Sequence, residues 1–206
     1  MGLLIAQAAR STPVTFGILA WMFLAAALAR SGILGRFNSV PPPIGLLFAC
    51  GFVATIALGM SRAMRRVIEL PLAIVIGVQS FRIVVEILIH ASSTIGLAPI
   101  QMTWSGYNFD IVTGVTALAL APFAKIAPAR LIFLWNCLGL ALLLWVVGIA
   151  VVSMPTRLQL MQPDNVWVAS FPYVWLPTGL VTAALLGHIV VFRKLAFRNK
   201  TESRLA

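Results

Sequence analysis

Long apolar stretches, separated by short polar segments rich in Gly, Pro and basic residues, set the pattern of this chain. A bilayer core of about 30 Å takes about 20 apolar residues as helix. Six stretches approach that length: 14–29, 44–60, 70–92, 109–124, 131–154 and 173–192. Arg10 and Arg30 bracket the first, the run Pro41-Pro42-Pro43 precedes the second, and Pro122 with Lys125 closes the fourth. The fifth is the most uniformly apolar, and only the third carries charges within it. Arg10 and Ala27-Leu28-Ala29 give the first stretch some likeness to a secretory signal with its cleavage site; it is read here as a membrane helix. The pattern predicts an all-α, polytopic membrane bundle of six transmembrane helices, forming a single integral membrane domain over residues 1–206.

Composition narrows the class. The chain has 206 residues, 61% hydrophobic and 10% charged, with mean hydropathy +1.00. Soluble domains carry about 45–50% apolar and about 25% charged residues, so an ordinary soluble globule is excluded, and so is a disordered chain. The net charge of +10 would suggest nucleic acid in a soluble protein. Here the basic residues fall between apolar stretches and report topology instead, because cytoplasmic loops collect Lys and Arg. No nucleic-acid partner is expected.

Alternate loops divide the basic residues unequally. One set holds eleven: Arg10, Arg62, Arg65, Arg66, Lys125, Arg130, Arg193, Lys194, Arg198, Lys200 and Arg204; the other holds three, Arg30, Arg36 and Arg157. That asymmetry places both termini in the cytoplasm, which agrees with an even number of spans. Loop 155–172 then faces outside, and Trp167, Phe171, Tyr173 and Trp175 read as an interfacial aromatic belt. Cys50 and Cys137 lie in apolar runs with no CxxC spacing and read as small hydrophobes.

The third stretch holds the chemistry. At about 100° per residue, Gln79, Arg82, Glu86, His90 and Ser93 fall within an arc of roughly 80°, rising about 21 Å along the axis, while the opposite side is Ile, Val, Leu, Phe and Ala. A charge at the bilayer centre costs about 2.5–3.5 kcal/mol even on the lenient insertion scale, so the stripe must face the bundle interior or a wet cavity. Arg82 and Glu86, at i and i+4, are placed to pair. In the bland reading that pair only fixes helix packing, with His90 capping it. In the functional reading it is part of a site, since intramembrane ionisable groups mark sites by default.

Asn108 and Asp110 open the fourth stretch at the same outer level. Asp110 alone reads as a helix cap; beside Glu86 and His90 it closes a polar pocket. Asp110, Gly114, Ala117 and Ala121 share one narrow face of small residues that lets helices approach closely, which would bring Asp110 toward His90. Glu86, His90 and Asp110 together offer one nitrogen and two oxygens, a donor set that suits zinc or iron, although HExxH is absent. His188 and Asn136 fall toward the cytoplasmic side, away from His90, so haem bridged by the two histidines is disfavoured. His188 reads as a hydrogen-bonded packing residue or a second polar site. No GxSxG, P-loop or GxGxxG sequence is present.

The set Glu86-x3-His90, Met102-x3-Gly106-x-Asn108-Phe109-Asp110-x3-Gly114 and Phe171-Pro172 resembles a bacterial family of small multi-pass membrane proteins with no assigned activity. The resemblance covers about a third of the chain. It implies a bacterial inner (plasma) membrane and supplies no reaction and no cofactor.

These observations lead to an outward-opening polar pocket lined by Arg82, Glu86, His90, Asn108 and Asp110. In an enzyme acting on a small or lipid-like substrate, Glu86 and His90 are the acid/base pair, Arg82 holds an anionic group or keeps Glu86 ionised, and Asn108 and Asp110 orient the substrate. In a proton-coupled carrier, Arg82, Glu86 and His90 form a relay that His188 or Asn136 must complete. In an accessory subunit, the partner is another membrane protein or a second copy of this chain. The lipid bilayer surrounds the protein in each case.

Overall fold

The computed structural model describes residues 12–205, with side chains through Phe197. Arg10 lies outside the described residues, as do the side chains of Arg198, Lys200 and Arg204. The fold is all-helical, with no strand among the described residues. Five helices are long and apolar enough to cross a membrane: Thr12–Arg30, Pro43–Met60, Leu72–Thr94, Ala129–Val152 and Leu176–Phe197. A sixth apolar helix, Ile111–Phe123, is shorter.

We label the helices α1 (Thr12–Arg30), α2 (Pro43–Met60), α3 (Arg65–Glu69), α4 (Leu72–Val78), α5 (Phe81–Thr94), α6 (Ile111–Leu120), α7 (Ala129–Val152) and α8 (Thr182–Leu205). Proline sets several starts. Pro42, Pro71 and Pro128 immediately precede α2, α4 and α7 with extended ψ, and Pro43 occupies the first helical position, where a missing N–H costs nothing.

Two of the spans are not single regular helices. The third is interrupted at Gln79 and Ser80, where Gln79 N–H donates to Ile76 O and Ser80 N–H to Gly77 O, tight i→i+3 bonds between α4 and α5. The last begins as a π-helical segment, Leu176–Val181, containing Pro177 and Gly179. Irregular backbone of this kind persists within a membrane only where protein or a cavity surrounds it.

Packing centres on α8, which lies against α2, α4 and α7. Gly59 lets α2 approach Leu186 and Ile189 of α8, and Gly51 receives the indole of Trp21. At one end, Met64, Val67, Ile76, Ile132, Leu186 and Val191 form a buried aliphatic cluster. At the other, Ile89, Met102, Val146, Ile149, Trp167 and Val168 form a second buried apolar cluster. Arg193 donates to Gly59 O and Ser61 O, and Lys194 to Ile68 O and Leu70 O. Two basic residues expected merely to mark the cytoplasmic edge thus hold the carbonyls that end α2 and α3.

Of the aromatic residues expected in a belt, Trp167 is buried, whereas Phe171, Tyr173 and Trp175 stay partly exposed. Trp167 sits in a short 3-10 turn, Trp167–Ala169, and Gln101 donates to both Ser153 Oγ and Pro163 O, tying loop 155–172 down. Trp175 Nε1 donates to Met22 O, Trp21 Nε1 donates to Thr178 O, and the Arg30 guanidinium stacks over Phe171 at 4.4 Å. Trp21 and Trp175 thereby lock α1 to the π-helical segment and the residue before it, each indole N–H finding a carbonyl partner.

Candidate functional site

The small-residue face of α6 does meet the third span. A Cβ at Gly114 would stand 2.9 Å from Ile83 Cγ1 and 3.3 Å from Arg82 Cβ, so glycine is what allows this approach. Asp110, one turn earlier at the start of α6, is thereby set against Arg82. Its Oδ1 accepts from Arg82 Nη1 at 2.7 Å, and both side chains are almost wholly buried. Arg82 therefore pairs with Asp110, and the expected pairing with Glu86 is not made. The reason is geometric: the i, i+4 neighbour shares a helix surface, whereas Asp110 comes from a second helix held in place by Gly114.

Arg82 makes two further contacts. Nη1 donates to Gly139 O at 3.4 Å, and Nη2 lies 3.1 Å from His188 Nε2. A guanidinium has no acceptor, so Nε2 must be the acceptor and Nδ1 must carry the proton. Nδ1 lies 2.8 Å from Asn136 Oδ1, and Asn136 Nδ2 donates to His188 O at 3.1 Å. His188 is thus a neutral imidazole in a fixed tautomer. A Cβ at Gly139 would stand 2.7 Å from His188 Cε1, so this glycine opens the space for the ring. His188 meets the stripe at Arg82, about two turns before His90 on the same helix, in keeping with its expected separation from His90.

Glu86 is buried on the next turn of α5. Both its oxygens accept from Asn108 Nδ2, at 2.9 and 2.8 Å. Asn108 also donates to Met102 O, and its Oδ1 accepts from Asp110 N–H at 3.0 Å. One asparagine thus joins the Glu86 carboxylate to the backbone that positions Asp110. No cationic side chain lies within 4.0 Å of Glu86 among the described residues.

His90 stands apart from this group. Its ring stacks on Trp104 with centroids 4.2 Å apart, and its Nδ1 is buried without a partner. The expected approach of Asp110 to His90 is replaced by that of Asp110 to Arg82. The expected metal set of His90, Glu86 and Asp110 is not assembled, and no cluster of three His, Cys, Asp or Glu side chains fit for a metal occurs among the described residues. Ring stacking on Trp104 claims the imidazole. Gln79, at the helix break, donates instead to Ala184 O at 3.1 Å.

Beside the polar group lies a cavity of about 270 Å³. Arg82, Glu86, Asn108 and Asp110 form its polar part, and most of the remaining wall is aliphatic, including Val85, Ile89, Leu143, Val146, Val147, Leu180 and Val181. It extends to Pro42, Thr156 and Leu158, at the end of the bundle that carries loop 155–172. Phe81 and Arg82, just past the break in the third span, and Leu176, Pro177, Leu180 and Val181 of the π-helical segment all line it. Both backbone irregularities therefore border the cavity. Sequence reasoning named His188 and Asn136 as a second polar site or relay extension without their contact to Arg82, and it missed Gly139 and the π-helical wall, for which the available signal was the Pro177–Gly179 pair.

Comparison with family models, with curated proteins and with solved structures finds no match for this chain.

Proposed function

We propose that this protein holds a single-chain amphiphile inside the membrane, its apolar part along the aliphatic wall and its polar end at Glu86 and Asn108. The observation that carries this reading is the cavity itself: an aliphatic chamber ending in a buried carboxylate that has no cationic partner. Ligand sites are mostly apolar with a few convergent polar groups, and intramembrane carboxylates mark sites. At about 270 Å³ the chamber lies just under the ~300–1,000 Å³ of small-molecule sites, which favours one short chain over a two-chain lipid. If a reaction follows binding, Glu86 is the group placed to take or give a proton. His90, which does not line the chamber, is not its partner.

The chain is read as crossing the membrane six times, with both termini on the more basic side and the chamber opening outward. The short helix Ile111–Phe123 counts as a crossing in this reading, since the buried residues Thr103, Asn108 and Asp110 before it extend the protein-enclosed path. Placement in a bacterial inner membrane rests on the motif resemblance alone.

A carrier is the second reading. Arg82, His188 and Asn136 continue the polar group away from the chamber, as a relay requires, but the aliphatic cluster around Ile76, Ile132 and Val191 closes that path in this conformation.

The test is to purify the protein in mild detergent, extract it with organic solvent, and identify co-purifying amphiphiles by mass spectrometry beside Val147→Trp, which fills the chamber. A near-stoichiometric single-chain species, lost in the variant, is expected. The same lipid profile in both proteins would overturn the reading.

A further inference from the structure

The chamber's polar end holds a carboxyl with no cationic side chain beside it among the described residues, and that bears on the head group it takes. Most of Arg82 is engaged: Nη1 serves Asp110 and Gly139 O and Nη2 serves His188, while Nε is buried without a partner. Asp110 Oδ1 is committed to Arg82 and to Thr113 Oγ1 at 3.4 Å. The Arg82–Asp110 pair is neutral as a unit, and His188 is neutral because its Nε2 must accept from Arg82. Glu86 remains. Its two oxygens offer about four acceptor sites, and among the described residues they meet only the amide of Asn108. Glu86 is thus a carboxyl on the chamber wall with no cationic side chain within 4.0 Å among the described residues.

We infer that the chamber selects amphiphiles whose head is a cationic hydrogen-bond donor, a primary or secondary ammonium on a single alkyl chain, and rejects carboxylate and phosphate heads. This deepens the amphiphile reading and rests on it. An ammonium at Glu86 supplies the missing charge and fills the free acceptor sites, as charge-assisted bonds do best. An anionic head would meet the Glu86 carboxylate while the guanidinium is already engaged by Asp110. Expectation from sequence alone pointed the other way, with Arg82 as an anion holder; the Asp110 contact removes that role.

The test uses the full chain in phosphatidylcholine nanodiscs at neutral pH and a matched series of ten-carbon probes: decylamine, decanol and decanoate. Binding is measured by isothermal titration for wild type, Glu86→Gln and Val147→Trp, with empty nanodiscs subtracted. Decylamine is expected to bind wild type about tenfold or more tighter than decanoate, the scale of one charge-assisted bond. In Glu86→Gln that preference falls to about parity, and in Val147→Trp saturable binding of all three is lost. Saturable decanoate binding equal to or tighter than that of decylamine overturns the head-group inference while leaving the amphiphile reading intact. The same holds if the preference survives in Glu86→Gln. Absence of saturable binding by any probe, or equal binding by Val147→Trp, overturns both.

Discussion

Removing the Asp110 charge gives the most quantitative handle on this arrangement. The Arg82 and Asp110 side chains are 2% and 7% exposed, and their contact is 2.7 Å. Breaking a buried pair by deleting one partner costs about 3–5 kcal/mol, because the surviving charge stays buried without compensation. In Asp110→Asn the guanidinium keeps a neutral acceptor at position 110, the 3.4 Å contact to Gly139 O and the bond to His188, but loses its counter-charge. Glu86, one turn along the same helix, can move to supply part of the lost charge, so the lower end, about 3 kcal/mol, is expected. Arg82→Met combined with Asp110→Leu removes both charges and should cost less than Asp110→Asn alone, since replacing a buried pair by apolar groups is often close to neutral. Reversible unfolding in mixed detergent micelles measures each variant, and the cycle closed by the singles Arg82→Met and Asp110→Leu isolates the coupling. A loss below about 1 kcal/mol for Asp110→Asn, or a double variant as unstable as the two singles added together, would refute the buried-pair account.

Three further outcomes follow from the packing. Gly114→Ala places a Cβ 2.9 Å from Ile83 Cγ1 and should cost about 1–3 kcal/mol, whereas Gly148→Ala, which meets nothing within 4 Å, should be neutral or stabilise by up to about 1 kcal/mol; thermal unfolding in detergent separates them. Asn108→Ala leaves Glu86 and Met102 O without their donor and should cost about 1–3 kcal/mol, together with weakened decylamine binding in the same nanodiscs. Arg193→Ala and Lys194→Ala release the carbonyls of Gly59, Ser61, Ile68 and Leu70, so hydrogen exchange over residues 59–70 should speed up severalfold while α5 and α7 stay protected.

Which parts of the site the sequence announces follows from what period and hydropathy encode. The 3.6-residue period fixes which side chains share a face, so Arg82 and Glu86 were identifiable as inward-facing, and the small-residue face of α6 as a contact surface. Partner choice is a tertiary matter. Arg82 had a neighbour on its own helix and took one from α6 because Gly114 brings that helix within contact distance. The contact of His188 with Arg82 joins two helices and is encoded in the period of neither. Arg193 and Lys194 turn to backbone carbonyls and the helix continues to Leu205. The break at Gln79 and Ser80 carries no proline, and Gly77, two residues before it, gave no distinct warning. His90 left the polar group because an aromatic partner, Trp104, competes for its ring, a contact that no spacing rule encodes.

The central claim is that an amphiphile occupies the chamber with its head at Glu86. Photo-crosslinking with a decylamine analogue carrying a diazirine at the chain end, followed by peptide mapping, tests it most directly. The account predicts labels on the chamber wall at Leu143, Val146, Val147 or Leu180, with labelling of Leu143, Val146 and Leu180 suppressed by Val147→Trp and by excess unlabelled decylamine. Labels confined to exposed outer positions such as Phe133, Leu138 and Leu144, unaffected by either, would contradict it.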